Sequence, residues 1–278
     1  MEIIKNGFVN QNGAYYNSGG IVNNSQRIPT NHLMDYWQQG NGIINLSINK
    51  TEIINPIKIE KALYVGRIPL HFGHFIIEGL ARLCEAANID IPIIGYLTSG
   101  FLPSGIIPTP INDIRWVIKS ITNEYFYEIN EGETYQVETL YLPKLPIVLS
   151  QSCSEPWRFT PMIKKIVTSA LELYPDDFRK ISNPTKIEKL YLRRYEEMNQ
   201  TNIEPSIYNR ESNPTDSLAK QISYVSRADT LLGVMGSNTH LSVFAKSSAK
   251  TIWTDRGDLN THRNQLICDL IKTYNINE

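Results

Sequence analysis

The sequence predicts an α/β fold in two halves, and three observations carry that reading. From Lys61 onward, short apolar runs alternate with amphipathic stretches of helical period. The second half reads strand, helix, strand, helix, strand, helix, an order that favours a parallel sheet covered by helices. Between the halves, the polar stretch SQSCSEP, Ser150 to Pro156, breaks the alternation as a linker does. We therefore expect one α/β domain over residues 1–155 and a second over 156–278. The last helix can pack back on the first domain.

Residues 1–50 are rich in Gly, Asn, Ser and Tyr, the composition of short strands and turns. ALYVG, Ala62 to Gly66, reads as a short buried strand, and Phe75 to Ala87 as a helix. The uncharged stretch from Ile91 to Asn112 is long enough to raise a membrane span. Its prolines, glycines and hydroxyls make it a strand, Ile91 to Leu97, followed by irregular loop. Asn112 is placed to cap the helix DIRWVIKSI. YFYEI and TYQVETLYLP are two further strands.

Thr160 to Tyr174 is an amphipathic helix stopped by Pro175, and KIEKLYLRR is a strand ending in Arg193 and Arg194. Asn213 then caps, and Pro214 opens, a helix through TDSLAKQISYVSRA. DTLLGVMG is a strand entering a glycine turn, NTHLSVFAKSS a helix, KTIWTD a strand and THRNQLICDLIKTY the last helix.

Composition narrows the function classes. A net charge of -1 and a pI near 6.5 argue against binding nucleic acid through bulk charge. The three cysteines have neither metal spacing nor a disulfide pattern, which points to a reducing compartment. MEIIKNGFVN carries an acid at position 2 and no apolar run after it, so no signal peptide is expected. We expect a cytoplasmic protein with no transmembrane segment. Oligomeric state is not legible.

Three motifs carry chemistry. The first is GRIPLHFGHFIIEGLARL, Gly66 to Leu83, which holds two of the chain's five histidines. On a regular helical wheel Ile76, Ile77, Leu80, Leu83, Cys84 and Ala87 share one side, and His74, Glu78, Arg82 and Glu85 the other. His71 precedes the helix, and Gly73 permits close backbone approach. The positive end of a helix disfavours imidazolium, which suits a neutral histidine there to accept a proton. Glu78 can orient it or serve as base, and Arg82 can hold Glu78 or a substrate anion. The same spacing also fits an ordinary solvated i, i+4 ladder.

The second motif is Arg193–Arg194 at a strand end, whose guanidinium forks suit phosphate oxygens. The third is GVMGSNTH, Gly233 to His240, a strand, glycine turn and helix start. Free N–H groups there favour a phosphate or carboxylate, with Ser237, Asn238 and Thr239 as side-chain donors. His240 falls inside that helix and reads as structural. The glycine spacing is not the dinucleotide fingerprint, no GxSxG elbow is present, and no metal-ligand cluster stands out.

In their order these motifs resemble glycosyltransferase family 61. Gly73, His74, Phe75, Glu78 and Arg82 match its glycine–histidine–aromatic helix start. Arg193, Arg194 and YNRE (Tyr208 to Glu211) match its arginine strand end and following basic patch, and GVMGSNTHLSVF its last strand–turn–helix. Met235 and Leu241 depart from the family's usual His and Asn, and Glu78 stands where Asp is common.

The resemblance implies a GT-B fold: two Rossmann-like domains facing across a cleft. It implies an inverting, metal-independent transfer from a nucleotide sugar to a glycan hydroxyl, with no further cofactor, in bacterial capsular polysaccharide synthesis. That setting is cytoplasmic, with the enzyme possible at the inner membrane face. In that scheme His74 or Glu78 is the base, and His71 and Arg82 lie on the acceptor side. Arg193, Arg194, Asn209, Arg210, Gly236, Ser237, Asn238 and Thr239 hold the donor. A non-catalytic nucleotide- or sugar-binding protein of the same fold is the alternative.

Overall fold

The structure, a computed structural model, describes residues 1–11, 13–15, 21–22, 51–52, 55–98, 109–122, 124–144, 146–148, 152–175, 187–194, 208 and 210–275. The first part of the chain contains β1 (Glu2–Asn10), β2 (Gly13–Tyr15), β3 (Ile21–Val22), β4 (Thr51–Glu52) and β5 (Ile57–Pro69). The helical segment α1 (residues 72–88), β6 (Ile93–Thr98), α2 (Ile111–Ile121), β7 (Phe126–Glu128) and β8 (Tyr135–Leu142) follow. β9 (Ile147–Val148) and β10 (Ser152–Cys153) form a small ribbon where the sequence suggested a linker. The second part contains a 3₁₀ turn (Pro156–Phe159), α3 (Thr160–Leu173), β11 (Ile187–Leu192), β12 (Arg210–Ser212), α4 (Leu218–Arg227) and β13 (Ala228–Val234). A 3₁₀ helix (Ser237–Phe244), β14 (Lys250–Thr254) and α5 (Leu259–Lys272) complete it.

The fold is α/β, with two principal sheets. The first has the order β2-β1-β8-β5-β6-β7, in which β8, β5, β6 and β7 run parallel and β1 antiparallel to β8. The second is fully parallel, β12-β11-β13-β14. In each sheet the chain builds outward on one side of its first parallel strand and then returns to the other. The reversal falls between β5 and β8 in one sheet and between β11 and β13 in the other. Crevices at the carboxyl ends of strands flanking such a reversal are where open α/β sheets bind ligands.

β5 is longer than the apolar run that announced it. Ile57 pairs with Tyr135 of β8 at its start and Pro69 with Thr98 of β6 at its end, so ladder bonds extend it past the buried Ala62–Val65 core. A bulge after Tyr64 is absorbed by Gly66 at φ 67. Its partner Gly95 has no room for a side chain, since a Cβ there would lie 2.7 Å from the Gly66 carbonyl. The bulge re-aims the last residues of β5 just before His71.

Two helix starts differ from the sequence expectation. α2 begins at Ile111 with Pro110 at the cap position, so Asn112 lies in the first turn. Pro110 stands in extended backbone (ψ 133) and lacks the N–H an additional turn would use. Asn213 does not cap α4. Its Oδ1 accepts from the Thr215 N–H and hydroxyl, both at 2.9 Å, a local turn that competes with helix. α4 starts at Leu218, capped by the Ser217 hydroxyl, which accepts from the Lys220 N–H. The Leu218 N–H donates to Asp113 of α2 at 3.2 Å.

One apolar core runs through both parts, including Leu63, Phe75, Leu80, Ile163, Ile166, Leu190, Leu231, Phe244 and Ile271. α3 is central to it. The Lys165 ammonium donates to the carbonyls of Ala87 (3.0 Å) and Ile121 (2.8 Å), stitching α3 to the ends of α1 and α2. α5 packs on the 3₁₀ helix and on the Pro156–Phe159 turn, where Tyr274 meets Trp157. A smaller cluster on the first sheet contains Ile4, Tyr64, Ile94, Val137 and Leu140.

Candidate functional site

The site is built on α1. β5 ends in two backbone bonds, Leu70 N–H to the Thr98 carbonyl and Thr109 N–H to the Leu70 carbonyl, which hold the turn into the helix. His71 is the cap residue, with extended backbone, and its Nδ1 accepts a long 3.5 Å contact from the His74 N–H. The helix then changes character along its length: Phe72–His74 is α, Phe75–Gly79 is π, Leu80–Leu83 is α and Cys84–Asn88 is 3₁₀. Gly79 permits the π turn to close over Phe75, whose ring would lie 2.7 Å from a Cβ there.

That π turn corrects the helical wheel. It inserts extra residues per turn, so positions after it slip around the axis relative to those before it. The apolar side is as expected, with Ile76, Ile77, Leu80, Leu83 and Cys84 buried. Arg82, however, is turned inward and is only 2 % exposed. Glu85 points to Arg158, with which it forms an ion pair. What remains of the polar face is His74 and Glu78, joined Nδ1 to Oε1 at 3.0 Å. A carboxylate accepting at Nδ1 fixes the proton on that nitrogen and the lone pair on Nε2. His71 packs edge-on to His74 with ring centroids 4.8 Å apart. Burial, and then repulsion from His74, push the His71 imidazole below its ordinary value, with Glu78 pulling the other way.

The facing wall comes from the carboxyl ends of the second sheet. Arg194 follows β11, and Gly236 and Ser237 follow β13 at the start of the 3₁₀ helix. Gly73 and Ser237 meet directly, since a Cβ on Gly73 would lie 2.7 Å from Ser237 Oγ and 3.0 Å from its Cβ. The result is a cleft of about 290 Å³ lined from one side by His71, Gly73, His74 and Ile77. From the other side it is lined by Arg194, Gly236, Ser237, His240, Arg256, Thr261 and Asn264. Gly73→Ala is expected to push these walls apart by a few tenths of an ångström and to lower activity with little loss of Tm. Parallel kinetic and melting measurements check this; unchanged kcat/KM would show that the contact does not set the cleft.

The structure sorts the remaining sequence candidates. Arg193 turns from the cleft to Glu211, Nε to Oε1 at 2.5 Å, an ion pair by distance without good hydrogen-bond alignment. Arg210 donates to the Tyr224 hydroxyl at 2.6 Å and lies over its ring. The Asn238 amide donates to the carbonyls of Leu192 and Arg193, bracing the strand end that carries Arg194. Thr239 is fully buried; its hydroxyl accepts from the Gly236 N–H at 3.1 Å and lies 2.5 Å from Gln265 of α5. The turn therefore offers the cleft Ser237 and the helix start, while Thr239 and Asn238 hold its shape. Asn209 lies outside the described residues.

Three cleft residues lie beyond β14: Arg256 in the β14–α5 connection, and Thr261 and Asn264 at the start of α5. The rule that led to Arg194 applied to Arg256 too, since the strand KTIWTD runs directly into it. His240, expected to be structural, also lines the cleft.

A sequence model of the glycosyltransferase 61 family matches residues 72–252, well over half of the chain. The chain belongs to glycosyltransferase family 61. No curated protein matches it. The family 61 match opens at Phe72, the first helical residue of α1, and closes within β14, so it contains His74, Glu78, Arg194 and the Gly236–His240 segment. As a member of family 61 the protein is a glycosyltransferase. Among the described residues no helix is long and apolar enough to cross a membrane.

Proposed function

We propose that the cleft transfers a sugar from a nucleotide-sugar donor to a glycan hydroxyl with inversion, in a GT-B arrangement, without an obligatory metal ion. The observation that carries this reading is the meeting of two unlike walls: a histidine–carboxylate pair on one side, a cationic helix start on the other. Arg194 and Arg256 supply positive charge, and Ser237 and the first N–H groups of the 3₁₀ helix supply donors, which together suit a diphosphate. The same groups stabilise the negative charge that develops on the leaving nucleoside diphosphate, the part a metal plays in other transferases.

His74 Nε2 removes the acceptor hydroxyl proton as the oxygen attacks the anomeric carbon from the face opposite the departing phosphate. Glu78 holds the imidazole in the required tautomer and stabilises the imidazolium once formed. Arg82, buried in α1, does not line the cleft and is not assigned a contact with substrate. By family resemblance we place the enzyme in the cytoplasm, in bacterial surface or capsular polysaccharide synthesis. Met235 and Leu241, at positions where the family usually has His and Asn, are both buried. They do not remove the cleft groups on which this chemistry rests.

A thermal-shift screen against nucleoside diphosphates and nucleotide sugars tests the reading, because a ligand that binds only the folded state raises Tm. Selective stabilisation by one nucleotide class is expected, and Arg194→Ala is expected to weaken it about tenfold or more. Transfer should persist in EDTA. No shift across a broad panel, together with no release of nucleoside diphosphate from any donor, overturns the transferase mechanism. It would favour a non-catalytic sugar-binding role.

A further inference from the structure

His240 is an anomaly in the cleft. It sits in the 3₁₀ helix at 5 % exposure, yet neither ring nitrogen makes a hydrogen bond of good geometry. Buried polar atoms are nearly always paired, so a buried ring with no well-aligned partner at either nitrogen calls for an explanation. The Gly73 backbone approaches the ring as a poorly aligned hydrogen-bond partner that raises its protonation value against the larger effect of burial, and a Cβ on Gly73 would lie 3.2 Å from Nδ1. His240 thus reaches from the helix behind the Gly236–Ser237 turn to the residue preceding His74.

We infer that His240 is a sugar-recognition residue, whose imidazole hydrogen-bonds a hydroxyl of the transferred glycosyl group. This rests on the transferase reading above and adds the contact that reads the sugar. In an in-line displacement the anomeric carbon must lie between the leaving phosphate and the base. A side chain that spans from the phosphate turn to the start of the base's helix therefore meets the sugar ring. Burial and the nearby His71 and His74 keep the imidazole neutral, with the protonation value pushed down to about 4. A neutral imidazole has one donor and one acceptor nitrogen, which complement a hydroxyl. The cationic groups that line the cleft, Arg194 and Arg256, suit the phosphates instead. A ligand hydroxyl would also satisfy a group otherwise buried at a loss, the pattern by which a site rejects analogues that lack the hydroxyl.

The test compares His240→Phe and His240→Leu with the parent, measuring by calorimetry the affinities of a nucleotide sugar and of its nucleoside diphosphate. We expect the affinity gained by adding the sugar to fall roughly tenfold in both variants, while diphosphate affinity stays within about twofold. Tm should hold or rise, because removing an unpaired buried polar group does not destabilise. Equal loss for both ligands, or loss only in proportion to a lowered Tm, would assign His240 a structural role and overturn the inference. If either variant fails to fold, ¹⁵N spectra of the parent histidines decide. His240 ring resonances should move with the nucleotide sugar and not with the diphosphate, and no difference between the ligands refutes the contact. A parent that binds no nucleotide of any kind refutes the transferase reading itself, and this inference with it.

Discussion

His74→Ala is expected to lower kcat by about 10²- to 10⁴-fold, the range over which positioned proton acceptors act, while donor affinity changes by no more than roughly threefold. The split follows from where His74 stands. It lies on the first wall, with its Nδ1 engaged by Glu78 at 3.0 Å, which puts the proton on Nδ1 and the basic lone pair on Nε2. The phosphate-binding groups stand on the opposite wall, on Arg194 and the Ser237 turn. Removing the imidazole therefore takes away an interaction made in the transition state and leaves ground-state donor binding in place. Glu78→Gln keeps a hydrogen-bond partner for Nδ1 but not the negative charge, so a smaller loss, of about tenfold, is expected. If His74→Ala retained turnover within a few-fold of the parent, His74 would not be the base. Glu78 would then be next, and Glu78→Gln should be the more damaging change.

Much of this was legible from residue order, and the exceptions have identifiable causes. Most strands and helices fall where the apolar pattern placed them, because β5 and β13 carry continuous buried runs, Ala62–Val65 and Leu231–Gly233, and β11 buries Ile187, Leu190 and Leu192. The placement of His74 and Arg194 at strand ends followed from the same pattern. Arg82 escaped because a wheel assumes one period throughout, and the Phe75–Gly79 π turn changes it within a single helix. Nothing in FIIEG announces that turn; it is fixed by Phe75 lying against Gly79. Thr239 and Asn238 carry the side chains of anion ligands, but tertiary partners decide their use. Gln265, 26 positions further on, meets Thr239, and the end of β11 claims Asn238. His240 was passed over because a histidine inside a helix is usually packed and paired. Its difference lies in the absence of good partners at full burial, which only three dimensions reveal. Gly73 shows the converse: its need for close approach was readable, and the structure supplies the neighbour, Ser237.

Acid is expected to destabilise the protein between pH 6.5 and 4, and His240→Leu to remove most of that loss. The ordinary histidine value of 6.5 applies in the unfolded chain, whereas burial holds His240 near 4 in the fold. Between those limits the unfolded state binds the proton and the folded state does not. Stability is therefore complete above pH 6.5 and is lost as pH falls toward 4, where the folded ring protonates and the loss levels off. The difference corresponds to about 3 kcal/mol at pH 4, at 1.36 kcal/mol per tenfold change in proton activity. His71, lowered for similar reasons, adds in the same direction. Asp113 opposes both, because burial raises its carboxyl and the folded state takes up a proton first. After burial, His74 and His71 also disfavour imidazolium at His240, and the Gly73 backbone opposes them as a hydrogen-bond partner. Glu78, paired with His74, and Arg194 and Arg256, which line the cleft, are the other charged groups nearby. Urea midpoints measured at intervals from pH 7 to 4.5 should fall steeply for the parent and more gently for His240→Leu, leaving the contribution of His71. Parallel curves would mean that water or a closing contact reaches the ring and that His240 titrates as an ordinary histidine.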